Sequence, residues 1–180
     1  PAKVGDPSPI KYCVYIIKEN RTYDQVFGDI KEGNGDPSLC LFGEEITPNL
    51  HKIVKDYVLL DNFYAEAEVS ADGHEWSMGA YATDFVEKTW PVTYGGHGNK
   101  KIGYKSEGTD PVNDSDSGHL WTKAKEAGIT YRSYGEWVHD SGPAGKGFTN
   151  DEALKGHFDP YYTGFNMDFS DFDRFKEFKK

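Results

Sequence analysis

The most apolar stretch of the chain lies near its start. Six apolar or aromatic residues follow one another from Tyr12 to Ile17, several of them β-branched. A short unbroken run of this kind predicts a strand buried on both faces, as in the middle of a parallel sheet. The run stops at Lys18 and passes directly into Glu19-Asn20-Arg21-Thr22. Ligands of open α/β sheets sit at the carboxyl ends of the strands. A carboxylate and an amide oxygen in that position suit a divalent cation, although from this stretch alone a strand running into a polar turn is the better account. Val58–Tyr64 and Ile129–Trp137 are the other two strand candidates, the latter with His139-Asp140 at its carboxyl end.

Helical periodicity occupies the segments between. Thr47-Pro48 predicts a helix start, with Leu50, Ile53, Val54 and Tyr57 as one apolar face and His51 off that face at the surface. Asp72-Gly73-His74-Glu75 has the form of a capping box, predicting a helix that runs to about Lys88 and is ended by Pro91. Ser70 then lies just before a helix N-terminus, a position that favours anions. A third helix is expected over His119–Ala127, with Ser117 as N-cap, Leu120, Trp121 and Ala124 inward, and Gly128 as the stop. A last helix begins near Asp171, with Phe172, Phe175 and Phe178 on one side. The order of elements predicts an α/β fold with a mostly parallel sheet and flanking helices. Pro1–Pro9 reads as a linker and residues 10–180 as one domain. Three strands leave both sheet edges open, so the expectation is the N-terminal portion of a larger α/β domain.

Between the elements lie long Gly- and Asp-rich loops, Thr93–Ser117 and Ser141–Met167, of the length that is usually functional or mobile. Asp114-Ser115-Asp116-Ser117-Gly118 has a faint likeness to a calcium loop but lacks a closing glutamate. The formal charge of −10 over 180 residues argues against nucleic-acid binding, which needs a basic stripe. No apolar stretch approaches a membrane span. Cys13 reads as a small buried hydrophobe, and a Cys13–Cys40 disulfide is left open. The chain starts at Pro1 without methionine, which leaves room for a removed leader or a preceding fused domain.

Three segments together carry a resemblance. Ile-Ile-Lys-Glu-Asn-Arg-Thr-Tyr-Asp-Gln-Val-Phe-Gly, Tyr-Val-Leu-Leu-Asp-Asn-Phe-Tyr and Ala-Glu-Val-Ser-Ala-Asp-Gly-His look like the phosphoesterase family of acid phosphatases and phosphate-cleaving phospholipases C, within the alkaline phosphatase superfamily. Thr47-Pro48-Asn49-Leu50 and the segment from Leu120-Trp121 to Gly128-Ile129 are similar to further helix units of that superfamily, so the resemblance covers about Ile10 to Trp137. It implies an alkaline-phosphatase-like fold and hydrolysis of phosphoric esters, in a periplasmic or secreted location. Glu19 and Asn20 match metal ligands, and Ser70 matches a nucleophile that also touches metal. The ion is divalent, with Zn, Ca, Mn and Mg all open. By the same resemblance His74 contacts phosphate or the leaving group, unless it is a solvent-facing helix residue, and Arg21 clamps phosphate, unless it pairs with a nearby acid. His97 and His139 lie beside plausible site loops, His139 as a substrate contact. Asn20-Arg21-Thr22 is also a glycosylation sequon, discounted if Asn20 holds metal.

The superfamily's later metal ligands have no obvious counterpart after Ser70. The chain is therefore expected to hold the nucleophile and half the ligands, and its activity without the other half is left open. Two alternatives stand beside this reading. A glycan- or ligand-binding module would cluster Trp90, Trp137, Tyr161 and Tyr162 at the surface. A sulfatase would need Pro-x-Arg after the nucleophile, whereas Ser70 is followed by Ala71-Asp72-Gly73.

Overall fold

Six α-helices carry the regular structure of this computed structural model, which describes residues 3–94, 107–141 and 146–180. They are α1 (Tyr23–Phe27), α2 (Pro48–Asp56), α3 (Ser70–Gly79), α4 (Asp84–Thr93), α5 (Leu120–Glu126) and α6 (Asp171–Phe178), with one 3₁₀ turn at Pro37–Leu39. Among the described residues there is no strand; two isolated bridges, Ser133 with Phe158 and His139 with Phe148, are all the β pairing present. The expected mostly parallel sheet is therefore absent. A buried parallel strand needs a paired neighbour on each side to close its ladder and cover its faces. Here none of the three candidate runs pairs with another. Tyr12–Ile17 stays irregular and exposed, Tyr12 at 89% and Ile16 at 71%. Cys13 is exposed with it, and Cys13 and Cys40 are free thiols.

The chain divides into two compact units, Pro1–Tyr64 and Ala65–Lys180. The first is organised around a histidine. α2 begins at Pro48 as expected, but His51, not the apolar stripe, is its buried residue, 1% exposed against 55% for Ile53 and 80% for Tyr57. The reason is the supply of polar partners. His51 Nε2 meets Asp29 Oδ1 at 2.8 Å, and Nδ1 lies 3.0 Å from both the carbonyl and the hydroxyl oxygen of Thr47. The Phe27 ring packs edge-on at 5.3 Å. Asp29 also accepts the Glu44 amide at 2.8 Å, so one imidazole ties three loop segments together. A buried polar group with every partner in place is compatible with a core.

The second unit has the larger apolar core, in which Met78, Trp121, Trp137, Ala153 and Leu154 pack together with Tyr131 against them. The helix expected over residues 72–88 is two helices. Ala80 caps α3 in the left-handed region at φ 66°, and Thr83 starts α4 by accepting the Val86 amide. Pro91 lies inside α4, which runs on to Thr93, instead of ending it. α5 begins one residue later than expected, with His119, not Ser117, as its N-cap. It ends as the glycine predicts: Gly128 takes φ 67°, its amide donates to Lys125 O at 3.1 Å, and Ile129 donates to Ala124 O at 2.9 Å. Trp121 is inward, but Leu120 is 56% exposed. α6 is capped by Ser170, and its Phe172, Phe175 and Phe178 are all exposed.

Candidate functional site

α3 is where the chemistry of the second unit begins. Val69 precedes it in extended conformation and Ser70 is its first residue, partly buried. Asp72, 2% exposed, turns its carboxylate back to accept the amides of Val69 at 3.1 Å and Glu68 at 3.4 Å. That satisfies two donors just ahead of the helix and places negative charge at the positive end of its dipole. Asp72 is thus not the N-cap that the sequence suggested: the N-cap is Val69, and Asp72 reaches back to it from the third position of the helix.

Four residues after Ser70, about 6 Å further along the same helix face, His74 Nδ1 meets Glu136 Oε1 at 2.7 Å. His74 is therefore held by a carboxylate and does not face solvent unpaired. The next residue, Glu75, points inward and is 1% exposed. Its Oε2 lies 3.5 Å from His119 Nε2, and His119 Nδ1 lies 3.5 Å from Asp151 Oδ2. The His119 ring is packed against two indoles that also touch each other, 4.8 Å from Trp121 and 4.7 Å from Trp137. Each indole N–H donates to an acid of the cluster: Trp121 to Asp151 at 2.6 Å and Trp137 to Asp114 at 3.1 Å. Glu75, Asp114 and His119 each bring one ligand atom to within 4.8 Å of the others.

Burial and charge pull these groups in opposite directions. Burial works against charge on His119, but Asp151 and Glu75 outweigh it and hold its pKa up at about 9. Burial pushes Glu75 up, partly offset by His119. Asp151 is held below the usual carboxylate range despite its burial, by His119 and the Trp121 N–H. Glu107, also desolvated, is pushed up to about 7. The arrangement can stabilise a positive charge between Glu75 and His119, and it can ligate a cation.

The residues singled out from the sequence fall into two groups. Glu19, Asn20 and Arg21 belong to the first unit. Asn20 Nδ2 donates to Glu19 Oε1 at 3.0 Å, which sets carboxylate and amide side by side. Arg21 donates to the carbonyl of Asn20 at 2.6 Å and lies over the Phe42 ring at 5.3 Å, so it is not paired with an acid in these contacts. Ser70, His74 and His139 belong to the second unit. His139 exchanges backbone hydrogen bonds with Phe148 and packs on its ring at 5.2 Å. His97 lies outside the described residues. The sequence reading passed over Glu75, which looked like half of a capping box, and His119, which looked like a helix start. Asp114 carried only the faint calcium-loop signal. No spacing rule joins residues 75, 114, 119 and 151; the one available hint was an unusual density of acids around tryptophans.

No family model, curated protein or solved structure matches the chain. No helix among the described residues is long and apolar enough to cross a membrane.

Proposed function

We propose that this chain is a metal-dependent hydrolase of phosphoric esters with Ser70 as its nucleophile. The observation that carries the reading is the position of Ser70 as the first residue of α3, with His74, held by Glu136, one turn along the same helix. Backbone N–H groups at a helix start are suited to the oxygens of a phosphoryl group. A carboxylate-held imidazole at that spacing is suited to donating a proton to a leaving oxygen. Ser70 attacks phosphorus, the alkoxide of the substrate leaves with a proton, and water later releases phosphate from the serine.

A serine hydroxyl is a weak nucleophile at its ordinary pKa and needs activation. The resemblance assigns this to a divalent ion and gives Ser70 as one of its ligands; the other matching positions, Glu19 and Asn20, belong to the first unit and are oxygen donors of the kind a hard cation takes. Such an ion would acidify the hydroxyl and neutralise phosphoryl charge. A periplasmic or secreted location belongs to the same reading. The competing glycan-binding module loses one of its four expected surface aromatics, because Trp137 is in the core.

The test is turnover of an aryl phosphate by the chain after dialysis against Zn, Mn, Mg or Ca, compared with Ser70→Ala. The expected result is hydrolysis with at least one ion, falling by about 10³-fold or more in the variant. Equal rates in both proteins overturn the role of Ser70. No turnover with any ion overturns the assignment of this activity to the chain.

A further inference from the structure

We infer that Glu75, Asp114 and His119 form a binding site for one divalent transition-metal ion of zinc-like character. The site is distinct from the oxygen donors Glu19, Asn20 and Ser70, and the inference does not depend on Ser70 being a nucleophile. Its three members all belong to the second unit.

The argument begins from two atoms. Glu75 Oε2 and His119 Nε2 are both buried, on residues 1% and 3% exposed, and neither has a hydrogen-bond partner. They face each other at 3.5 Å. On its other side the imidazole presents Nδ1 to Asp151. Opposite a carboxylate oxygen, Nε2 needs a positive charge between the two atoms: the second proton of the charged imidazole supplies it, and a metal ion that displaces this proton supplies it on the lone pair while Nδ1–H stays directed at Asp151. Leaving such groups buried without a partner is costly.

The surroundings supply what a metal site requires and a chance contact lacks. Asp114 adds a second carboxylate, steadied by the Trp137 N–H at 3.1 Å. Asp151 behind His119 completes a carboxylate–histidine–cation line, the usual outer support of a ligating imidazole. Asp151 is itself fixed by Trp121 at 2.6 Å. The ligand atoms lie within 4.8 Å of one another. Two ligands each 2.0–2.2 Å from one ion lie at most about 4.4 Å apart, so closure asks for a few tenths of an ångström. One imidazole with two carboxylates favours zinc or a neighbouring first-row ion over calcium and magnesium, which prefer oxygen alone.

The experiment is titration of the metal-stripped chain with Co²⁺, read by its visible ligand-field absorption, with Zn²⁺ as competitor. The expected result is a Co²⁺ spectrum that saturates at one equivalent for this site and is displaced by Zn²⁺. Binding should be weakened at least about tenfold in Glu75→Gln and His119→Gln, and unchanged in the exposed Glu126→Gln. If either buried variant fails to fold by tryptophan fluorescence, Asp114→Asn takes its place, since an amide oxygen can still accept the Trp137 N–H while losing the charge. No Co²⁺ spectrum, or one equally strong in the variants, overturns the inference. So does a ¹⁵N spectrum in which His119 keeps protons on both ring nitrogens in the presence of excess Zn²⁺, which assigns the space to a proton.

Discussion

Replacing Asp151 with alanine removes three contacts of one buried carboxylate. Oδ2 accepts the Trp121 indole N–H at 2.6 Å and faces His119 Nδ1 at 3.5 Å, while Oδ1 accepts the Ala153 amide at 2.7 Å. Trp121 is 6% exposed and His119 3%, so water does not readily replace the lost acceptor. An unsatisfied buried donor costs about 1–3 kcal/mol, and breaking a buried charged pair from one side costs about 3–5. With these overlapping at one atom, Asp151→Ala should destabilise the second unit by about 3–5 kcal/mol. That is a large part of the 5–15 kcal/mol typical of a domain. Asp151→Asn keeps one acceptor oxygen and loses the charge, and should cost about 1–2 kcal/mol. The assay is urea unfolding followed by tryptophan fluorescence, with chelator present so that no bound ion contributes. All four tryptophans lie beyond Tyr64, so the signal reports the second unit. A loss below about 1 kcal/mol for the alanine variant, or an asparagine variant as damaged as the alanine one, would refute the reasoning.

The first unit should weaken in acid. Asp29 is held below its ordinary value of 3.8, first by His51 and against its burial, with the Glu44 amide helping. The unfolded chain therefore binds the proton more readily, and the contribution of Asp29 is present above about pH 4 and lost as pH falls through its lower folded value. The groups around it are His51 and, at longer range, Lys55. Amide NMR signals of Thr47 and His51 should report the loss, and Asp29→Asn should abolish its pH dependence. Two glycine substitutions separate strain from clash. Gly128→Ala, at φ 67° with nothing within 4 Å, should cost about 1 kcal/mol of α5 stability by urea unfolding. Gly108→Ala, also at φ 67°, would set its methyl 2.5 Å from Trp137 Cδ1 and should cost clearly more; equal costs would contradict the packing described.

Helix boundaries were readable wherever a local device makes them. Pro48 at the start of α2, Gly128 past the end of α5 and the start of α6 at Asp171 depend on neighbouring residues alone. Asp72 was readable as a helix-start acid for the same reason. The strands were not, because strand pairing is decided by distant segments, and among the described residues the apolar runs find no more than the single bridge of Ser133 with Phe158. The face of α2 was misread because periodicity ranks residues by hydrophobicity. It cannot show that Asp29 and Thr47 are waiting to satisfy His51. At the break the left-handed residue is Ala80, while the glycine stands one place earlier, at Gly79 inside α3, so the glycine did not mark the turning residue. The same limit applies to the site. Ser70 and His74 are neighbours on one helix and were legible, whereas Glu75, Asp114 and His119 meet only through tertiary packing around two tryptophans.

The central claim is that Ser70 carries the phosphoryl group. Its most direct test is to mix the metal-loaded chain with an aryl phosphate, quench in acid within the first turnover, digest, and weigh the peptide that contains Ser70. A peptide heavier by one phosphoryl group at Ser70, lost on longer incubation and absent from Ser70→Ala, is the predicted result. Aryl alcohol released in a burst with that peptide unmodified, or the phosphoryl group found on another residue, would contradict it.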